Sequence, residues 1–136
     1  MIINADVNFI HTTVTLSTSN PVKDNKGLTS ATCFKLKDGE NEIGQCVFAP
    51  FPGCCGAVIS TETIIHPKYR KLGYAREFHM LKAKLAHRLG YSLLVATTQL
   101  SNLPEVIGAS KQRWKFVKTF KNKRTGNELG LMVKDV

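Results

Sequence analysis

The chain changes its period at residue 65, and that change restricts the fold more than any other feature. Residues 57–65, AVISTETII, are rich in β-branched side chains and alternate. They predict a strand with Val58, Ser60, Glu62 and Ile64 on one face and Ile59, Thr61, Thr63 and Ile65 on the other. From residue 74 the apolar side chains recur as Tyr74, Phe78, Leu81, Leu85 and Leu89, one face of a helix over 74–89 that stops before Gly90. The opposite face carries Arg76, His79, Lys82, Lys84 and Arg88. Residues 92–98, SLLVATT, are apolar without alternation, which suits a strand buried on both faces.

The rest of the chain follows from the same rules. Residues 7–16, 29–37 and 42–49 read as strands. Asp38-Gly39 is a hairpin signal between the last two, and residues 18–27 form a polar loop. Asn102-Leu103-Pro104-Glu105 reads as a capping box that opens a second helix over 103–113. Leu103, Val106, Ile107, Ser110 and Trp114 continue the inner face of that helix, with Trp114 a core aromatic. Residues 115–120 and 128–133 are strands around the polar turn 121–127. The 136 residues make one α/β (α+β) domain around a mixed sheet.

Charge is unevenly distributed. Of the formal net charge of +9, residues 66–124 hold fourteen Lys and Arg against Glu77 and Glu105, while residues 1–65 carry four Lys against six acids. An anionic partner would therefore meet the second half of the chain. The four cysteines lack C-x-x-C spacing and a nearby histidine pair, so no metal site is expected. The first residues, MIINADVNF, show neither a basic segment nor a long apolar one, and no apolar run approaches bilayer length. These features give the expectation of a cytoplasmic protein.

The junction HPKYRKLGYAREF (66–78) combines a strand end, a glycine and a cluster of cations. A helix that opens there presents unpaired N–H groups and the positive end of its dipole. Gly73 lets the backbone turn tightly and come close to a ligand, and Ala75 is small. Arg70, Lys71 and Arg76 add charge-assisted donors. The local physics predicts a phosphate or pyrophosphate cradle over 70–76.

The spacing Arg70-x-x-Gly73-x-Ala75 resembles the Arg/Gln-x-x-Gly-x-Gly/Ala signature of the GNAT superfamily of N-acetyltransferases. Ile65-His66-Pro67-Lys68-Tyr69-Arg70 is similar to the family's strand-end Val-x-Pro-x-x-Arg pattern, and Trp114-Lys115-Phe116 stands where the family usually has Gly-Phe. The resemblance covers residues 30 to 133 in element order and 63 to 102 closely. It implies a mixed, mostly antiparallel sheet of about seven strands with two principal helices. It also implies a V-shaped splay between strands 57–65 and 92–98. The implied cofactor is acetyl-CoA or another acyl-CoA. Its pyrophosphate would lie on the backbone amides of Lys71, Leu72, Gly73, Tyr74, Ala75 and Arg76. Its pantetheine arm would pair with the backbone of Thr63 and Ile65, and Asn102 would stand beside it at the head of the next helix. The implied reaction is acetyl transfer to a primary amine, with the N–H of Ile65 or Thr63 polarising the thioester carbonyl.

Glu62 is the acid nearest the end of the strand leading to the loop and is the candidate base. His66 is a lesser candidate, and His79 and His87 are expected on the polar side of the helix. The family's usual general acid is a tyrosine in the second helix. Residues 103–113 contain none, and Ser110 is the hydroxyl left on the inner face. The family also places two helices between its first two strands, where only residues 18–27 stand here. An open acceptor face is implied, suited to an amine on a protein or RNA, unless a second copy of the chain supplies the wall as a homodimer. The alternative is a catalytically inactive GNAT-fold protein that binds a protein or nucleic acid. Lys111, Arg113, Lys115, Lys118, Lys121, Lys123 and Arg124 would then supply phosphate contacts.

Overall fold

The computed structural model describes residues 4–8, 13–18, 28, 31–38 and 40–136. Among the described residues eight strands form one sheet: β1 (Asn4–Asn8), β2 (Thr13–Thr18), β3 (Thr32–Asp38), β4 (Asn41–Pro50), β5 (Ala57–Ile65), β6 (Leu93–Gln99), β7 (Lys115–Lys121) and β8 (Glu128–Asp135). Their order across the sheet is β1-β2-β3-β4-β5-β6-β8-β7. The described residues also form two helices, α1 (Tyr74–Arg88) and α2 (Leu103–Lys111), and a 3-10 turn over Pro67–Tyr69. The sheet is antiparallel except where β5 pairs with β6. Parallel neighbours need a crossover, and α1 is that crossover.

The count exceeds the expected seven because the first predicted strand is a hairpin. β1 pairs antiparallel with β2 from Asn4↔Ser17 to Asn8↔Thr13. The residues between them, Phe-Ile-His-Thr, include no glycine or proline, so the sequence carried little turn signal there. In the next hairpin Asp38 pairs with Asn41, which makes Asp38 the last strand residue rather than the first turn residue. Gly39 itself, the loop 19–27 and the side chains of β1, β2, Asp38, Glu62 and Pro104 lie outside the described residues.

Alternation drives the core. Phe34 and Leu36 of β3, Ile43, Cys46 and Phe48 of β4 and Val58 of β5 are fully buried. They meet Phe78, Leu81, Leu85, Ala86 and Leu89 of α1, with Leu94 of β6 and Met132 of β8 beside them. Phe34 and Phe48 pack edge to face, ring centroids 5.4 Å apart. Trp114 is buried, as expected of a core aromatic. Gly90, with φ 89°, closes α1, and Tyr91 N–H donates to the Ala86 carbonyl.

Strand β5 does not keep a period of two. Gln45 pairs with Ile64, but Val47 pairs with Thr61, so Glu62 and Thr63 together face Cys46 alone. This bulge bends β5 and turns its last residues over. Val58 and Ser60 are buried, and Ile65 joins them against the core, whereas Ile64 is 44% exposed. The expected faces are corrected accordingly: Thr63 and Ile65 share a side with Val58 and Ser60. Gly44 makes the arrangement possible, because a Cβ there would run into the Ile64 carbonyl oxygen.

Candidate functional site

Strands β5 and β6 pair only at Ala57↔Leu93, Val58↔Leu94 and Ile59↔Val95. Beyond Ile59 they part. A cavity of about 290 Å³ lies in the gap, lined by Ser60, Thr61 and Thr63 from β5 and Ala96, Thr97, Thr98 and Gln99 from β6. Lys82, Asn102, Glu105 and Met132 complete its wall. Two strand edges left unpaired over a cavity can accept an extended ligand as an added strand.

The turn before α1 is built as the sequence suggests. Gly73 is the N-cap with φ 86°, and Lys71 before it also has a left-handed φ of 63°. Nothing lies within 4 Å of where a Gly73 side chain would begin. Lys71, Leu72, Gly73, Ala75 and Arg76 are exposed, so the first amides of the helix face open space beside three cations. Such a turn fits a phosphate group. Arg70 has a further task, since its Nε donates to the Ile65 carbonyl at 2.9 Å and braces the turn against the strand. Tyr74 stacks edge to face on Tyr69, centroids 5.9 Å apart. The far end of α2 is tied to the same turn, with Gln112 Nε2 donating to the Arg76 carbonyl at 2.8 Å.

Other candidates are placed differently. Asn102 is the N-cap of α2 and lines the cavity, but its Nδ2 donates to Glu105 Oε2 at 3.2 Å rather than its side chain capping a backbone amide. The expected capping box is therefore replaced by a side-chain pair, which leaves Glu105 turned toward the cavity. Ser110 is exposed and donates to the Val106 carbonyl at 3.0 Å. The expectation that it lies on the inner face is corrected, because α2 turns Ala109 into the core and leaves Leu103, Ile107 and Ser110 toward solvent. His66 lies 3.7 Å from Glu42, outside the cavity lining. The backbone of Glu62 lies in the bulge. The seven cations from Lys111 to Arg124 are exposed, three of them on the edge strand β7.

The polar helix face holds the largest surprise. His79 and Lys82 are buried at 4% and 1% exposure. Lys82 Nζ donates to Thr63 Oγ1 at 3.1 Å and Ser60 Oγ at 3.3 Å, under the parted strands. His79 Nε2 lies 3.5 Å from Glu105 Oε1, and its ring meets Trp114 edge-on at 6.1 Å. Sequence reasoning missed this group because it counted charge as exposure. One signal was present: Phe78, Lys82, Leu85 and Leu89 follow one another at helical i+4 and i+3 steps, so Lys82 stands in the buried stripe.

The electrostatics follow from burial. Desolvation pushes the Lys82 ammonium below its usual range. It likewise raises the Cys46 thiol to about 12, against the opposing pull of Lys82. Burial lowers His79, partly offset by Glu105, and the contact with His79 holds the Glu105 carboxyl below its usual value. A histidine depressed in the folded state binds fewer protons than in the unfolded chain, so stability falls as pH drops through the unfolded value of 6.5. Glu105 adds a loss below 4.5, because its folded carboxylate must then protonate. Thermal unfolding midpoints will fall from pH 7 toward pH 4, and His79→Phe will flatten the upper part of that decline. A midpoint independent of pH between about 7 and 5 in the native protein would contradict the assignment.

No family model matches this chain, and no curated protein matches it in sequence. Its structure does match. The chain superimposes on a protein from Desulfovibrio desulfuricans assigned as an acetyltransferase of the GNAT family with a TM-score of 0.67 and 15% identity. That alignment covers 78% of this chain and 69% of the other. The chain has the GNAT acetyltransferase fold.

Two further structures agree with the GNAT fold. The ribosomal-protein-S18-alanine N-acetyltransferase of Escherichia coli gives a TM-score of 0.67 at 10% identity, over 82% of this chain and 72% of that one. Spermidine N-acetyltransferase from Vibrio cholerae, solved with CoA and spermine, gives 0.68 at 16% identity, over 79% and 66%. The GNAT fold has a mixed, mostly antiparallel sheet with two principal helices, as the sequence implied. No helix among the described residues is long and apolar enough to cross a membrane.

Proposed function

We propose that this protein is an N-acetyltransferase that moves an acetyl group from acetyl-CoA, or another acyl-CoA, to a primary amine. The observation that carries the reading is the parting of β5 from β6 after Ile59↔Val95 over a polar cavity, with α1 crossing between them from the open, cationic Gly73 turn. The residues fit the cofactor. Backbone amides from Lys71 to Arg76 would receive the pyrophosphate, and the unpaired edge at Thr63 and Ile65 would pair with the pantetheine arm. Bound acetyl-CoA supplies a thioester, whose acetyl carbon the amine attacks.

The chain's own groups do the rest. The N–H of Thr63 or Ile65 polarises the carbonyl, and Glu62 takes the proton from the acceptor's ammonium. Only thirteen residues, 19–31, separate β2 from β3, too few for two walling helices. A chain of net charge +9 repels a free polyamine. Both features favour an amine carried on a macromolecule, on an acidic protein surface or on RNA. The test is thiol release from acetyl-CoA with such acceptors. Glu62→Gln should cut turnover about 100-fold while acetyl-CoA affinity stays constant. Equal turnover would clear Glu62 of the base role, and absence of turnover with any amine would favour a fold that only binds.

A further inference from the structure

Lys82 is a fully buried cation that forms no ion pair among the described side chains. It lies at the floor of the gap between β5 and β6, held by Ser60 and Thr63, and it lines the cavity. A buried ammonium left without a contacting carboxylate is costly, and an apolar side chain would fill the same stripe of α1 at lower cost. The second helix offers no tyrosine, and its one inner-face candidate, Ser110, is turned to solvent.

We propose that Lys82 is the catalytic acid of this site, the group that gives a proton to the sulfur of the departing CoA. The inference rests on the acetyltransferase reading above. The balance is simple. The acceptor nitrogen bonds to the acetyl carbon, the carbon–sulfur bond breaks, and sulfur leaves with the electron pair. The Lys82 ammonium protonates that sulfur and becomes a neutral amine. It is recharged by a proton that the acceptor nitrogen sheds, and the acceptor's other proton passes through the base to solvent.

The surroundings suit this task. Phe78 of α1 places its ring 5.7 Å from Nζ, and Lys82 is 1% exposed. Cys46 of β4 stays a neutral thiol, since burial raises it to about 12, so it neither competes for the proton nor locks the ammonium in a pair. Glu105 of α2 is turned to His79 at 3.5 Å and acts on Lys82 from a distance, as does His79 one turn away on α1. Burial makes the ammonium a stronger acid than in water.

The test needs no acceptor. CoA labelled with carbon-13 next to its sulfur is bound to the full chain, and its thiol is titrated by NMR between about pH 6 and pH 10. A cation beside the sulfur favours the thiolate, so the native protein should ionise bound CoA about one pH unit below free CoA, a tenfold shift. Lys82→Met should abolish the shift while still binding CoA. Lys82→Gln should do the same while keeping a donor for Ser60 and Thr63, which guards against loss of fold in the first variant. Identical ionisation in the native protein and in both loaded variants would overturn the role of Lys82 alone. Failure of the native protein to bind CoA would instead overturn the acetyltransferase reading and this inference with it. Acetylation of Lys82 itself on incubation with acetyl-CoA would also overturn the inference, by making it an acceptor.

Discussion

Gly73→Glu will lose acetyl-CoA affinity by at least about 100-fold, close to 3 kcal/mol. Two effects act in the same direction. The residue holds φ at 86°, where a side chain costs about 1–2 kcal/mol, and relief of that strain moves the first amides of α1 off their common target. The new carboxylate would also stand where the pyrophosphate is received, among Arg70, Lys71 and Arg76. Because nothing lies within 4 Å of where the new Cβ would stand, the variant has room to fold. Gly73→Ala separates the two effects: it carries the strain without the charge and should lose roughly tenfold or less. Titration calorimetry reads both. Native affinity in Gly73→Glu would remove the turn from the binding site.

Gly44→Ala should be among the most destabilising small substitutions in the sheet. Its Cβ would meet the Ile64 backbone carbonyl, and a carbonyl in the paired strand beside the bulge cannot shift without disturbing the pairing of β4 with β5. Overpacking of this kind costs about 1–3 kcal/mol, and in a domain of this size that corresponds to a fall in Tm on the order of 10 °C. The damage would not remain local. The bulge sets the register that puts Thr63 beside Ser60 under Lys82, so surviving protein should bind CoA less tightly than native. An unchanged Tm would mean that the strands yield there freely and that the bulge is not held by close packing.

The elements that position the site were legible because they rest on local rules. AVISTETII is a strand over 57–65 as its alternation says, and Tyr74 begins α1 directly after a glycine in the left-handed region. What was not legible depends on contacts between distant segments. The period of β5 breaks because Gly44, thirteen or more residues upstream, lets two residues oppose Cys46 alone. That single offset carries Thr63 to the side of Ser60. Lys82 looked like a solvated helix residue because its two hydroxyl partners lie on a strand whose face had been assigned without the bulge. Asn102 and Glu105 have the spacing of a capping box, yet the nearby imidazole of His79 draws Glu105 inward instead. Ser110 shows the converse, since helical spacing placed it inward with Leu103 and Ile107 while α2 docks on the core through Ala109 and leaves all three toward solvent.

The central claim is that the parted strands and the Gly73 turn together hold an acyl-CoA. Calorimetric titration of the native protein with acetyl-CoA and with CoA tests it most directly. The account predicts one site per chain, with micromolar or tighter binding, about −8 kcal/mol, for both ligands, and loss of that binding in Gly73→Glu. No heat of binding at millimolar acetyl-CoA, from protein whose thermal unfolding is cooperative, would contradict it: the GNAT fold would then be present without its cofactor.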